Sequence, residues 1–346
     1  MSPAPDIESL RRIGWRGDLP VGRVARVVAQ HRAGYELHDG RQVFSAQPAG
    51  HFLKRGLDPS LRPAVGDFVR VDHGSTAQID SVLPRRSTLT RAAAGERYER
   101  QLIATNIDHV LVLTGLDGDF NPRRIERYLL LIAGGGAQPV VVLTKADRSD
   151  DAATRLAELR ARLPEGTPVH AINAKDAQSV AVLSAYLGLG DSVVLVGSSG
   201  AGKSTLTNTL LGESRMATNA VRDHDSRGRH TTTHRALLPL PGGACLIDTP
   251  GMRELKLTGE ENLDLFADIE DLALRCRFTD CTHGNEPGCA IQAALAAGEI
   301  DAERWRNYVK LRDEREQQAA LLEARQQRKL DARPPSRALG RRQRDK

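Results

Sequence analysis

Eight consecutive residues, Gly197-Ser198-Ser199-Gly200-Ala201-Gly202-Lys203-Ser204, constrain this chain more than any other stretch. They follow the apolar run Val193-Val194-Leu195-Val196 and open into Thr205-Leu206-Thr207-Asn208-Thr209-Leu210-Leu211, which reads as a helix. Gly-x4-Gly-Lys-Ser between a buried strand and a helix is the setting of a phosphate-binding loop. Its glycines let the backbone curl so that several N–H groups converge on one phosphate chain. The helix N-terminus adds unpaired donors and a favourable field for an anion. Lys203 is expected to reach the outer phosphates and Ser204 to bind Mg²⁺ through its hydroxyl, with Thr205 beside it in the first turn. The competing reading is a plain glycine-rich turn between strand and helix.

The neighbouring sequence supplies the sheet that such a loop needs. Apolar runs at 108–114, 138–144 and 168–172 alternate with helical patterns at 123–133, 150–163 and 179–187. Strands and helices alternating at this spacing predict a parallel sheet covered on both faces. Asp248-Thr249-Pro250-Gly251 ends a further strand after the loop. A carboxylate there can hold Mg²⁺ through water, and the Gly251 N–H can sense a γ-phosphate. Thr144-Lys145-Ala146-Asp147 ends an earlier strand. Asp147 can accept both the N1–H and the 2-amino group of guanine, a donor pair that adenine lacks, while the Lys145 stem covers the ring. Asn173-Ala174-Lys175 can offer a backbone N–H to guanine O6. Alone, Lys-x-Asp would be a helix-start cap; in one sheet with the other two segments it points to GTP and GDP. The order is unusual, with base-reading segments first, then the phosphate loop, then Asp248.

The flanks differ in character. Residues 1–14 are polar with two prolines and are expected to be disordered. From Gly22 the chain reads as short strands with an Asp39-Gly40 hairpin turn, closing near Ser87. Such a run fits a small β-barrel, of which the OB-fold is a common nucleic-acid-binding type. Arg23, Arg26 and Arg70 alternate with apolar residues, giving either an RNA-facing wall or a solvated strand face. A polar linker is expected next. Cys276-x4-Cys281-x-His283-x5-Cys289 supplies three sulfurs and an imidazole, a closed set for one structural Zn²⁺; four unrelated buried side chains are the alternative. Cys245, inside an apolar run, reads as core. Asp301 is expected to cap a helix reaching about Leu330, followed by a basic tail at 331–346 that is either solvated or in contact with RNA. A net charge of +5 permits a polyanionic partner. No apolar run is long enough to cross a bilayer, and residues 1–14 lack a signal-peptide core, so a cytoplasmic protein without a membrane partner is expected.

The order Thr144–Asp147, Gly197–Ser204, Asp248–Gly251 resembles that of the circularly permuted GTPases of late small-subunit assembly in bacteria, the ribosome small-subunit-dependent GTPase A family. The likeness runs from about Gly22 to Tyr308. It implies three domains: an OB-fold barrel (15–87), a circularly permuted α/β P-loop GTPase (88–262), and a mostly helical zinc-binding domain (263–330). It also implies GTP hydrolysis stimulated by the small ribosomal subunit, contact with its 16S rRNA, and a monomer. Arg229-His230-Thr231-Thr232-Thr233 matches the family's switch I segment, placing Thr232 or a neighbouring threonine on Mg²⁺. Met252 stands where many GTPases carry a water-orienting glutamine. His230 is therefore the first candidate to assist hydrolysis and His234 the second; either can instead be an RNA contact or an exposed histidine. Thr144 and Asn173 depart from the usual asparagine and serine. The alternative function is a GTP-regulated RNA-binding or translation factor in which hydrolysis is incidental.

Overall fold

A computed structural model describes residues 6–31, 33–54, 57–72, 76–92, 100–212, 236–248 and 256–331. The segment expected to be disordered opens instead with a helix, α1 (Ile7–Arg12), whose first turn is capped by the Asp6 carboxylate on the Glu8 N–H. Leu10 and Ile13, three apart and so on one face, pack with Val24 and Phe68. Ile7, Leu10 and Ile13 are too few apolar residues in a polar stretch to announce a helix; the tertiary partners of Leu10 and Ile13 make it.

Five strands follow: β1 (Val24–His31), β2 (Gly34–His38), β3 (Val43–Pro48), β4 (Phe68–Asp72) and β5 (Gln78–Val82). They close as β1-β2-β3-β5-β4 back to β1, with β3 and β5 parallel and the other pairs antiparallel. Ala25, Val27, Leu37, Val69 and Ile79 fill the barrel without measurable exposure. The basic-wall expectation fails at Arg26, which is also 0% exposed. One face of β1 lines the barrel and the other is covered by the residues around α1, so both faces are buried. The Arg26 guanidinium donates to the carbonyls of Ile13 (2.6 Å), Gly66 (3.2 Å) and Asn106 (3.2 Å). Arg23 lies over the Phe44 ring at 4.1 Å, and Arg70 is exposed.

In place of the expected linker, β6 (Thr88–Ala92) and β7 (Arg100–Thr105) pair as an antiparallel ribbon with Leu89, Leu102 and Ile103 buried. The central unit is β8 (His109–Gly115), α2 (Pro122–Ile132), β9 (Gln138–Thr144), α3 (Ala152–Arg162), β10 (Val169–Ala171), α4 (Ala177–Val180), β11 (Ser192–Gly197), α5 (Lys203–Leu211), β12 (Ala236–Pro239) and β13 (Cys245–Asp248). The helix expected over 179–187 is a single α-turn, α4, continued by a 3₁₀ segment to Tyr186. Strand order is β10-β9-β8-β11-β13-β12, parallel apart from the antiparallel β12–β13 hairpin. One face is covered by α2 and α3 through Ile125, Leu129 and Leu159; the other by α4 and α5 through Val180, Leu206 and Leu211. Cys245 is core, as read. Beyond β12 the sheet runs on into the barrel through the Ala29–Ala236 pair with β1.

Three helices complete the described chain: α6 (Ala267–Ala273), α7 (Ala290–Ala297) and α8 (Ala302–Asp331). Asp301 accepts from the Glu303 N–H at 2.8 Å, the expected start of α8. Phe266, Ile269, Tyr308 and Leu311 are buried in one core with α2. Within this interface Glu126 of α2 is fully buried. It accepts from Asn307 of α8 and lies 3.6 Å from Arg162 Nε and 3.9 Å from Arg304 Nε.

Candidate nucleotide site and metal centre

The phosphate loop forms where β11 runs into α5. Gly197 ends the strand at φ +148°, where a Cβ would sit 2.3 Å from the Leu113 carbonyl of β8. Gly202 begins the helix in the left-handed region at φ +93°. A side chain is excluded by close approach at the first and strained by conformation at the second. Lys203 folds back into the curl, its ammonium donating to the carbonyls of Gly197 (2.7 Å) and Ser198 (2.6 Å). Ser199 and Gly200 are exposed, Ala201 is buried, and Ser204 and Thr205 are half-buried in the first turn. The loop therefore joins a helix N-terminus, a cation and a hydroxyl at one strand end, which suits binding a phosphate chain.

The other segments meet the loop at the same edge of the sheet. Asp248 ends β13, which lies parallel to β11 with Val194 opposite Ile247. Lys145 and Asp147 follow β9, and Asn173 and Ala174 follow β10. Ligands bind outside the carboxyl ends of strands in such sheets. Asp147 keeps 41% of its side chain exposed. Thr144 is fully buried, and its hydroxyl donates to the Ala201 carbonyl at 2.7 Å, so it braces the loop from beneath. Asn173 Oδ1 accepts from the Lys175 N–H at 3.0 Å, and the Ala174 carbonyl accepts from Thr209 of α5 at 2.7 Å. These contacts fix the turn that would present a backbone N–H to a base. Gly251, Met252, His230, Thr232 and His234 lie outside the described residues.

Two carboxylates at this edge were missed in the sequence. Asp117 accepts from Lys145 Nζ at 2.5 Å, and Asp119 accepts from the hydroxyl of Ser198. Burial works to raise the Asp117 carboxyl, but the Lys145 hydrogen bond and backbone donors outweigh it and hold the group below its ordinary 3.8. Their position just after β8, the strand beside β11, was the available signal.

Cys276, Cys281, His283 and Cys289 place one ligand atom each within 4.8 Å of one another. His283 Nδ1 is 3.5 Å from Cys276 Sγ and 3.6 Å from Cys289 Sγ; the two sulfurs are 3.9 Å apart. Tetrahedral bonds of about 2.3 Å imply sulfur separations of roughly 3.7 Å, so the set fits Zn²⁺. The knuckle is braced from the helices. Cys289 Sγ caps α7 on the Gln292 N–H, and Gln292 Nε2 donates to the His283 carbonyl at 2.6 Å. Trp305 of α8 meets the His283 ring edge-on at 5.6 Å and stacks on Tyr308. Burial lowers the His283 pKa, which favours the neutral imidazole that a metal binds.

The family described as RsgA GTPase matches residues 82–258, from the last barrel strand to the segment after Asp248. Two curated relatives are each 55% identical over about nine-tenths of both chains. The chain belongs to the RsgA GTPase family. The relatives are the small ribosomal subunit biogenesis GTPase RsgA of Xanthomonas euvesicatoria pv. vesicatoria (327 residues, 90% of this chain and 89% of that one) and of Xanthomonas axonopodis pv. citri (328 residues, 90% of each). Among solved structures, YjeQ from Thermotoga maritima is 26% identical with a TM-score of 0.60, covering 84% of this chain and 96% of its own. YloQ, a circularly permuted GTPase, shares the fold at a TM-score of 0.57 and 21% identity, covering 84% and 95%. This RsgA family member is thus a circularly permuted P-loop GTPase linked to ribosome biogenesis, with a barrel-like sheet before the GTPase fold and a Cys/His cluster after it. No helix among its described residues is long and apolar enough to cross a membrane.

Proposed function

We propose that this chain hydrolyses GTP to GDP and phosphate on the maturing small ribosomal subunit, and that the subunit stimulates the reaction. The observation that carries the reading is the convergence of Asp147, the 197–204 loop and Asp248 at one sheet edge, in a chain 55% identical to proteins named for small-subunit biogenesis. Asp147 and Lys145 would hold guanine, with the Asn173–Ala174 turn facing O6. Residues 197–205 would cradle the phosphates, Lys203 neutralising the outer ones. Ser204, Asp248 and Thr232 would hold Mg²⁺, which when bound offsets charge between the β- and γ-phosphates. Gly251 would sense the γ-phosphate and His230 would orient water, because Met252 has no group to do so. The barrel to residue 87, as an OB-fold, and the zinc-held residues 263–330 would seat the GTPase unit (88–262) on 16S rRNA, as a cytoplasmic monomer.

The test is GTP turnover by the purified chain with and without isolated small subunits. Strong stimulation is expected; equal turnover would favour an RNA-binding switch whose hydrolysis is incidental. His230→Ala should keep subunit binding and lose most of the stimulation in single-turnover hydrolysis at saturating subunit. Stimulated rates equal to wild type would remove His230 from the reaction.

A further inference from the structure

The six residues after β8 touch both halves of the nucleotide site. The Leu116 N–H donates to the Thr144 carbonyl at 2.8 Å, tying the turn to the end of β9. Thr114 Oγ1 donates to the Asp119 carbonyl at 3.2 Å, and the Asp119 N–H to Asp117 Oδ1 at 3.1 Å. Asn121 then caps α2 on the Arg124 N–H. The turn is thus fixed at both ends, and it projects two carboxylates in different directions. Asp119 Oδ2 accepts from the Ser198 hydroxyl of the phosphate loop, while Oδ1 is paired with Arg124 in the first turn of α2. Asp117 Oδ2 holds the Lys145 ammonium, whose residue is in the left-handed region at φ +60°. Room for this second contact comes from Gly115. A Cβ there would lie 2.5 Å from Asp117 Oδ1 and 3.2 Å from Lys145 Nζ.

We propose that Asp119 and Asp117 are positioning residues for the nucleotide, Asp119 fixing the phosphate loop through Ser198 and Asp117 fixing the ring-covering Lys145. This inference rests on the assignment of residues 197–204 and 145–147 to GTP and GDP. A carboxylate accepting from a hydroxyl makes one of the stronger side-chain hydrogen bonds. Here it selects one rotamer of Ser198 and so restrains the first residue of the curl, before any phosphate has to order it. Arg124 neutralises Asp119, so the brace brings no uncompensated negative charge toward the phosphates. Asp117 acts on the lysine at the opposite end of the ligand. The two carboxylates therefore have separable effects: one on phosphates, one on base.

Displacement of a fluorescent GDP by unlabelled GDP and GMP separates them. Asp119→Ala and Ser198→Ala should each weaken GDP about tenfold while leaving GMP within about twofold, the scale of one charge-assisted hydrogen bond. The double variant should be no weaker than either single one, because both remove the same contact. Asp119→Asn, which keeps an acceptor, should recover most of the GDP affinity. Asp117→Ala should weaken GDP and GMP by a common factor, and Gly115→Ala should reproduce it. Equal loss of GDP and GMP in Asp119→Ala, additive losses in the double variant, or wild-type affinities throughout would each overturn the proposal. Lys203→Ala serves as the reference. If it binds GDP like wild type, the nucleotide site itself is misplaced; if it loses GDP while the aspartate variants do not, only the positioning role fails.

Discussion

Arg26 illustrates how one side chain can change meaning between sequence and structure. Between Ala25 and Val27 it reads as the polar member of an alternating strand, yet it has no measurable exposure and, among the described residues, no carboxylate within hydrogen-bonding reach. Three carbonyls from three segments converge on it: one after α1, one before β4 and one between β7 and β8. Burial pulls its pKa down to about 10, which still leaves it charged at neutral pH. Arg26→Met keeps much of the volume and takes the guanidinium donor from the Ile13 and Asn106 carbonyls, while the Gly66 carbonyl keeps the Asn106 amide at 3.0 Å. A loss of about 2–4 kcal/mol of stability is expected from chemical denaturation, given roughly 1–3 kcal/mol per unsatisfied buried group with partial relaxation. RNA affinity, compared at equal folded fraction, should not change; a selective loss of RNA binding would restore the basic-wall reading. The phosphate loop was legible because its chemistry is local: glycine spacing, one lysine and one serine after an apolar strand. Asp117 and Asp119 were not, because their partners lie 28 and 79 positions away in the chain. The same non-local dependence hid the burial of Arg26.

At the scale of elements, the knuckle and α7 depend on each other. Cys289 belongs to the Cys/His cluster that could hold a metal and is also the N-cap of α7, and Gln292 in the first turn of that helix returns a hydrogen bond to the His283 carbonyl. Binding energies of roughly 10–16 kcal/mol for structural zinc exceed what so short a segment can gain from burial, so metal removal should release the helix. One zinc per chain is expected by elemental analysis. In Cys276→Ala, amide exchange over Ala290–Ala297 should accelerate by orders of magnitude while β8, β9 and β11 keep their protection. Unchanged exchange in α7 would show that burial of Ile291 and Ala294 suffices without metal. The α/β alternation and the Cys/His spacing were readable because period and ligand type are written into short windows. The helix α1 and the β6–β7 ribbon were not: Leu10 and Leu89 are ordinary leucines in polar stretches until the barrel and α2 arrive beside them.

The whole molecule is joined by α2, whose buried Glu126 faces Asn307 and Arg304 of α8 and Arg162 of α3, with Asp268 and Asp301 pairing the outer sides of those arginines. Arg127 and Glu314 add a second contact at 2.7 Å, and Glu314 also accepts from the Leu257 N–H at 3.3 Å, just beyond the segment that follows Asp248. Burial raises the Glu126 carboxyl above its ordinary 4.5 despite Arg162, Asn307 and Arg304, so the folded chain holds that proton more tightly than the unfolded chain. Linkage then removes stability as pH rises through the interval between the ordinary and the raised value. Glu126→Gln lacks this titration. Its melting temperature should therefore gain on that of wild type as pH rises above 4.5, and the gap should level off once wild type is fully ionised. A gap moving the other way would mean that the arginines stabilise the carboxylate more than burial costs it. The backbone pairing of Ala29 with Ala236 has a further consequence. Because β1 lies alongside β12, the barrel is also the edge guard of the GTPase sheet. A chain cut free of its first 87 residues would present a bare strand with unpaired N–H and C=O groups, the kind of rim on which sheets from separate molecules zip together. Such a fragment would be sticky for reasons unrelated to nucleotide or ribosome.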